Sequence, residues 1–329
     1  MQLQKKINLP VIHMRLLSLV SLTTFAFVTL KIAYDVFAGW KPAAPYQPRN
    51  FSRRTGTLCQ NADFFPEHKR AVWTMLTDDP NYVLSTLKLG HSLRKHTPDP
   101  FDMVVMELAT KPLNSTALAC LRAAGWQRCV VDRISPLDED ATRRYIARFE
   151  DQFTKLHLWD MTMYETLVYL DSDTFTLHSI SHLLNRKLGT KRIAVAAQTW
   201  YGKFEGFNMG VVVIHPDAHE YQRLRQLQQD PAIKFDTKWA EQGFLNVVYK
   251  DQWSDLGFTN NALAWVSWQD HAYWTQNYAH VNIVHYVGMK PWLCFPDAFI
   301  QWLIYPSAYY TPLCQLWKDN HPQTYANLI

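Results

Sequence analysis

The chain has 329 residues, a formal net charge of +4 and an isoelectric point of about 8.7. This balance lacks the strongly basic character of a typical nucleic-acid-binding domain, whose isoelectric point lies above about 9, so we expect no nucleic-acid partner. Apolar residues make up 48% of the chain, which is enough for the core of one large domain or of two.

The N-terminal region is apolar and follows a short basic segment. Residues 16–30 carry no charge. Together with the residues that follow, they predict a signal-anchor transmembrane helix over 16–38, preceded by a cytosolic tail, 1–15. The alternative is a cleaved signal peptide with its small-residue site at 36–38. Either interpretation sends the remainder of the chain into the secretory lumen.

Residues 39–69 are rich in proline, arginine and small residues and show no periodicity. We interpret this segment as a stem or linker, followed by the folded domain, 70–329. The triplets at Asn50 and Asn114 are acceptor sequences for N-glycosylation, which agrees with a lumenal location.

The five cysteines can form disulfides in an oxidising compartment. We expect the pairs Cys120–Cys129 and Cys294–Cys314. The odd count leaves one cysteine free or available for an intermolecular bond. The cysteine and histidine spacings do not indicate a zinc site.

Strands and helices alternate from Arg70 onward. The pattern predicts strands at 71–77, 102–108, 128–134 and the apolar run before Asp171, and helices at 82–96, 115–125 and 154–165. Such repeated units predict an α/β fold with a mostly parallel central sheet and helices on both faces. In these sheets ligands bind beyond the carboxyl ends of the strands.

Asp171 and Asp173 stand at one such strand end. Two carboxylates this close repel each other unless cations compensate them. Oxygen ligands at this position suit manganese or magnesium, which most often bridges phosphates. Two alternatives remain for the pair: a turn or helix cap, or a phosphatase of the haloacid-dehalogenase type with Asp171 as nucleophile. The phosphatase is less favoured, because Phe175 occupies a place where threonine or valine is expected.

Three later segments add candidate site residues. A predicted strand, 207–216, contains Asn208, whose amide can bind hydroxyl groups. A predicted helix, 239–249, carries Glu241 and Gln242 near its first turn. A predicted strand within 281–292 leads into three further candidates. His285 suits a metal ligand, Gly288 allows a close approach of the backbone, and Lys290 is a cation that can bind phosphate.

Together these motifs resemble glycosyltransferase family 8, the glycogenin-like group, over roughly residues 70–318. The motifs "YLDSDTF", "FNMGVVVIHP", "EQGFLN" and "HYVGMKPW" carry the resemblance, and the last is most similar to the plant glycogenin-like and glucuronosyltransferase branch. The resemblance implies a GT-A nucleotide-diphospho-sugar transferase fold, a retaining transfer from a UDP-sugar donor, and Mn²⁺ as cofactor.

The resemblance also implies a role for each candidate residue. The metal ligands would be Asp171, Asp173 and His285. The uridine pocket would contain Met75, Thr77 and Tyr82. The diphosphate would contact Lys155, Gly288 and Lys290. The sugar and the reacting centre would contact Asn208, Glu241 and Gln242.

We therefore expect a hexosyltransferase that is a single-pass type II membrane protein of the Golgi, acting in the lumen on a glycan, glycoprotein or glycolipid acceptor. The segment 198–206 is the place where we expect acceptor contacts. A homodimer is an option that the sequence leaves open. Two departures from the family pattern, Met209 for serine and Glu241 for aspartate, motivate an alternative: a catalytically silent member that binds a UDP-sugar or glycan.

Overall fold

The computed structural model describes residues 59–61, 63–137, 147–200, 203–288, 290–293 and 310–319, all within the unit 46–321. The predicted tail, the anchor 16–38, most of the stem, Asn50 and Cys294 lie outside these residues. Among the helices of the described part, none is long and apolar enough to cross a membrane.

Ten strands form the described sheets. They are β1 (Arg70–Leu76), β2 (Asp102–Leu108), β3 (Trp126–Val131), β4 (Thr166–Leu170), β5 (Thr174–Thr176), β6 (Ile193–Trp200), β7 (Lys203–Ile214), β8 (Trp253–Asp255), β9 (Ala262–Leu263) and β10 (Ile283–His285). Seven build the central sheet in the order β3-β2-β1-β4-β7-β6-β8. Only β7 runs antiparallel to its neighbours, so the predicted mostly parallel sheet is confirmed.

The described α-helices are α1 (Pro80–His96), α2 (Ser115–Ala123), α3 (Ser181–Leu184), α4 (Ala218–Gln228), α5 (Ala240–Val248), α6 (Val266–Gln269), α7 (His271–Asn277) and α8 (Tyr310–Asp319). Short 3-10 helices lie at Thr237–Trp239, Phe258–Asn260, Tyr278–His280 and Pro291–Leu293, and a long one at Ala147–Asp160.

Both faces of the central sheet are covered. Trp73 of β1 packs in one core cluster with Leu156 of the long 3-10 helix and Phe244 of α5. Val72 and Leu76 point to the opposite face, because side chains alternate along a strand, and they are also buried. The sheet is therefore buried on both sides, as the apolar strands predicted.

The predicted α-helix 154–165 is instead the 3-10 helix Ala147–Asp160. Its buried apolar side chains Phe153, Leu156 and Trp159 recur every three residues. That spacing matches the three residues per turn of a 3-10 helix and places all three on one side. The chain then turns before it enters β4.

The predicted Cys120–Cys129 disulfide is wrong. Cys129 of β3 bonds to Cys59, and Cys120 of α2 is a buried free cysteine. Cys59 and Cys129 share one core cluster, to which Cys120 does not belong. The residues before β1 run along β3, where the Gln60 amide donates to the Val130 carbonyl at 2.8 Å, and this brings Cys59 to its partner. Cys314 is also disulfide-bonded.

A second sheet of three strands, in the order β5-β10-β9, stands beside the end of β4. Its core includes Phe175, Trp274, Tyr286 and Trp317, the last from α8. The Tyr286 hydroxyl donates to the Leu313 carbonyl at 2.9 Å, so α8 is fixed directly to this sheet.

Lys88 of α1 is buried against α8. Its Nζ donates to the Trp317 carbonyl at 2.5 Å and lies 3.5 Å from the centroid of the Trp317 ring. Burial lowers the pKa of Lys88 to about 7, with Asp319 opposing the shift. An unfolded lysine titrates near pH 10.4. Between these values the unfolded chain binds more protons at this position than the folded chain.

We predict that stability rises with pH between about 7 and 10 through Lys88, by at most about 1.4 kcal/mol per pH unit. Lys88→Met should remove this slope. Urea unfolding at pH 7 and pH 9 measures it, with Lys95→Met, an exposed lysine of the same helix, as the control that keeps the slope. An unchanged slope in Lys88→Met would contradict the assignment.

Candidate metal centre

Three predicted ligands converge at the junction of the two sheets. Asp171 directly follows β4, Asp173 directly precedes β5, and His285 ends β10. His285 pairs with Thr174 across the β5–β10 ladder, and the Tyr286 amide donates to the Asp173 carbonyl at 3.0 Å. The ligand atoms of the three residues lie within 4.8 Å of one another. The predicted grouping is present in the structure.

Cations compensate the two carboxylates. Lys155 Nζ lies 3.1 Å from Asp171 Oδ1, and Lys290 forms an ion pair with Asp173. His285 Nε2 lies 3.4 Å from Asp173 Oδ1 and 3.6 Å from Asp171 Oδ2. Burial alone would raise the pKa of Asp173, but Lys290 and His285 hold it well below its usual range. Asp173 is therefore a carboxylate at neutral pH.

The chemistry of these side chains fits a divalent cation. Two carboxylate oxygens and one imidazole nitrogen converge from separate elements, as in protein sites for such metals. The Tyr169 hydroxyl donates to Asp171 Oδ1 at 2.8 Å, which leaves Asp171 Oδ2 on the side of His285. Asp171, Asp173 and His285 would hold the ion.

Gly210 of β7 supports two of these ligands. Its carbonyl accepts a hydrogen bond from the Asp171 amide at 2.8 Å. A Cβ at this position would stand 2.0 Å from His285 Cε1, so only glycine leaves space for the imidazole. The group that occupies this space is the imidazole of the candidate ligand His285.

Lys155 connects Asp171 to Glu241 of α5. It lies on the long 3-10 helix, is buried, and donates to Glu241 Oε1 at 2.8 Å as well as to Asp171. Burial would lower the pKa of Lys155, but Asp171 and Glu241 outweigh it and raise the pKa above the ordinary value. Burial raises the pKa of Glu241, with Lys155 opposing. Lys155 therefore stays charged between its two carboxylates.

Asn208 and Gln242 lie next to each other on β7 and α5. Gln242 Oε1 accepts from the Met209 amide at 3.1 Å. Asn208 Oδ1 accepts from the Gly210 amide at 2.9 Å, and its Nδ2 donates to Gln198 Oε1 at 3.0 Å. Both predicted sugar-binding amides are thus held in fixed orientations close to the metal ligands.

A cleft opens at the carboxyl ends of β1 and β4. The residues that line it are Met75, Leu76, Thr77, Tyr82, Phe149, Gln152, Tyr169, Asp171, Ser172, Asp173 and Lys290. The three residues predicted for the uridine pocket are among them, beside the metal ligands. The cleft therefore lies where parallel-sheet proteins bind their ligands.

The 3-10 helix Pro291–Leu293 packs against Tyr82 of the cleft. Trp292 packs edge-on against Tyr82 with ring centroids 4.7 Å apart, and Lys290 Nζ lies 5.9 Å from the Tyr82 ring. Gly288 has φ +79°, and a Cβ there would meet nothing within 4 Å. The positive φ accounts for glycine at this turn.

Several site residues were not predicted from the sequence. Tyr169 could have been identified from the sequence, because it lies two residues before Asp171 and therefore on the same face of the strand. Phe149 and Gln152 come from the 3-10 helix, whose period differs from the predicted one. Gln198 was expected only as part of the segment 198–206, and here it accepts from Asn208. Asn261, which lies 2.9 Å from His285 Nδ1 through its Oδ1, shows no pattern of its own in the sequence.

The strand order and the carboxylate pair beyond β4 define a GT-A glycosyltransferase fold. A galactosyltransferase, LgtC, solved in complex with donor and acceptor sugar analogs, shares this fold with a TM-score of 0.55 and 15% identity, over 79% of this chain and 100% of that one. Residues 74–294 match the model for Glycosyl transferase family 8. The chain belongs to this family.

Two curated plant relatives illustrate the similarity. Putative UDP-glucuronate:xylan alpha-glucuronosyltransferase 4 of Arabidopsis thaliana is 26% identical over 244 residues, covering 72% of this chain but only 39% of that protein. Galactinol synthase 5 of the same plant is 26% identical over 259 residues, covering 68% of this chain and 74% of that protein. Both relatives agree with the plant branch that the sequence motifs indicated.

We predict that Gly210→Ala abolishes divalent-metal binding while the protein remains folded, because the added methyl group displaces the His285 imidazole. Calorimetric titration with Mn²⁺ in the presence of UDP measures the loss. Val211→Ile is the control, since it also adds one carbon to a buried residue of β7 but faces away from His285. Unchanged affinity in Gly210→Ala would show that His285 is not a ligand.

Proposed function

We propose that this protein is a retaining, Mn²⁺-dependent glycosyltransferase that moves a hexose-type sugar from a UDP-sugar to a glycan, glycoprotein or glycolipid acceptor. The observation that carries the proposal is the Asp171, Asp173 and His285 cluster at a cleft lined by Met75, Thr77, Tyr82 and Lys290. The candidate metal ligands thus lie beside a cleft that also contains a cation, Lys290.

The ligand set supports manganese over magnesium. Magnesium prefers oxygen ligands and keeps several waters, whereas an imidazole nitrogen suits a transition metal. When bound, such an ion stabilises negative charge on the departing diphosphate. Lys290 lies at the same cleft and supplies a second positive charge for that group.

Retention of configuration often uses a covalent nucleophile. Here Glu241 is buried in its ion pair with Lys155, and Gln242 is an amide that accepts from the Met209 backbone. These contacts support a transfer on one face of the sugar. The bond from the anomeric carbon to the diphosphate breaks, the acceptor oxygen bonds to the same carbon, and the acceptor proton passes to the leaving diphosphate oxygen.

We predict UDP release from one donor in the presence of Mn²⁺ and none with EDTA. The donors to test are UDP-glucose, UDP-galactose, UDP-glucuronate and UDP-xylose, without acceptor and then with candidate acceptors. Asp173→Asn should reduce release by about 100-fold or more, since the donor loses its charge stabilisation. The matched control is Asp251→Asn, an exposed carboxylate remote from the cluster in sequence.

The outcomes separate the alternatives. No release from any donor, together with no Mn²⁺-dependent binding of UDP, would contradict the proposal. Binding of UDP without release under any acceptor condition would favour the catalytically silent family member. A phosphorylated Asp171 would instead indicate the phosphatase.

We further propose that the domain works in the Golgi lumen, anchored by residues 16–38. The Cys59–Cys129 disulfide supports an oxidising compartment. Asn114 is exposed, as a glycosylation acceptor must be, and it also caps α2 by accepting from the Ala117 amide at 2.9 Å. Its Nδ2 donates to Asp78 Oδ1 at 2.8 Å.

We predict that endoglycosidase treatment shifts the electrophoretic mobility of the protein expressed in eukaryotic cells. Thr116→Ala and Ser52→Ala should remove the shift, because each destroys its acceptor triplet while Asn114 keeps its capping hydrogen bond. In sealed microsomes the domain should resist added protease. An unglycosylated domain that protease digests in sealed vesicles would place it in the cytosol and contradict the proposal.

A further inference from the structure

A chain of three buried amide side chains stands behind the metal-binding histidine. We call it the amide relay: Gln198 of β6, Asn208 of β7, and Asn261 just before β9. His285 Nδ1 lies 2.9 Å from Asn261 Oδ1, Asn261 Nδ2 lies 2.9 Å from Asn208 Oδ1, and Asn208 Nδ2 lies 3.0 Å from Gln198 Oε1. All three amides are more than nine-tenths buried.

A backbone group fixes the direction of the relay. The Gly210 amide lies 2.9 Å from the Asn208 side chain, and a backbone N–H can only donate. Asn208 must therefore present its oxygen to Gly210 and to Asn261. Asn261 must then present its NH₂ group to Asn208, which turns its own oxygen toward His285. A reversed Asn208 would place two donors against each other and leave Gly210 unsatisfied.

An acceptor at this position requires a donor on the imidazole. A neutral histidine carries its proton on one ring nitrogen and offers a lone pair on the other. With Asn261 Oδ1 facing Nδ1, the proton belongs on Nδ1. Nε2 then faces the carboxylates, 3.4 Å from Asp173 Oδ1 and 3.6 Å from Asp171 Oδ2, and is the nitrogen that a cation bound there would meet.

We propose that Asn261 is a positioning residue of the metal centre. It holds His285 in the Nδ1-protonated form and in the ring orientation that presents Nε2 to a divalent cation, and Asn208 and Gly210 determine its direction. Groups that orient metal-binding histidines typically contribute 10–100-fold to metal affinity. The effect on metal affinity depends on the proposed metal-binding function, whereas the position of the proton on His285 does not.

The first test locates that proton without metal or activity. The 329-residue chain is labelled with ¹⁵N-histidine, kept in EDTA at pH 8, and studied by long-range proton–nitrogen correlation. His285→Gln identifies the His285 signals by their loss. A proton on Nδ1, whether or not Nε2 also carries one, supports the proposal. An unprotonated Nδ1 would overturn it.

The second test compares two adjacent buried asparagines. Asn260 is also satisfied by side-chain hydrogen bonds, but its partners are His182, Leu256 and Asn282, none of which is a candidate metal ligand. Asn261→Leu should weaken Mn²⁺ binding in the presence of UDP by 10–100-fold, measured from the electron paramagnetic resonance signal of free Mn²⁺. Asn260→Leu should leave it unchanged within about threefold, although both variants lose stability.

A conservative variant keeps the test decisive if Asn261→Leu fails to fold. Asn261→Asp retains an acceptor for the imidazole, so His285 should remain protonated at Nδ1. Equal loss of Mn²⁺ affinity in the Asn260 and Asn261 variants would mean that both act through stability alone and would overturn the proposal. Failure of the wild-type chain to bind Mn²⁺, with the Nδ1 proton present, would contradict the metal function and leave the relay intact.

Discussion

The mutual repulsion of Asp171 and Asp173 is the constraint on which the rest of the site depends. The two residues are separated by one position and lie between β4 of one sheet and β5 of the other, so the chain cannot move them apart. Lys155, Lys290 and His285 compensate them from three other elements. Each of those residues is held in turn: Lys155 by Glu241, Lys290 by the turn that packs on Tyr82, and His285 by the β5–β10 ladder. The architecture brings cations to a carboxylate pair that would otherwise be unfavourable.

The sequence allowed prediction of the parts that local patterns encode. The apolar run before Asp171 and the alternation of strands and helices indicated a parallel sheet, and parallel strands end at a common edge. That logic placed the two aspartates at the ligand-binding edge of the sheet, where the cleft lies. Met75 and Thr77, which line the same cleft, were assigned through the family resemblance. His285, Gly288 and Lys290 were singled out from the strand that they follow. Their grouping with the aspartates came from the family resemblance, because residues more than a hundred positions apart carry no local signal of contact.

Other features depend on which distant residues meet in the folded chain, and local patterns in one sequence do not report that. Cys129 was expected to pair with the near Cys120, but strand alternation sends its side chain into the cluster that contains Cys59. Phe153, Leu156 and Trp159 follow one another at intervals of three residues. Neighbours at this interval also share a face of an α-helix, which explains why the wrong type of helix was predicted. Asn261 stands beside Asn260 in the sequence, yet the two amides face different partners.

Gly210 shows how closely the ligands depend on one another. Its carbonyl receives the Asp171 amide, its missing side chain leaves space for His285, and its own amide fixes the direction of Asn208 and therefore of Asn261. One backbone position of β7 thus contacts or orients residues from β4, β9 and β10. A change at this position would therefore affect two of the three candidate ligands, Asp171 and His285. The geometry of the metal centre therefore depends on the backbone of the central sheet.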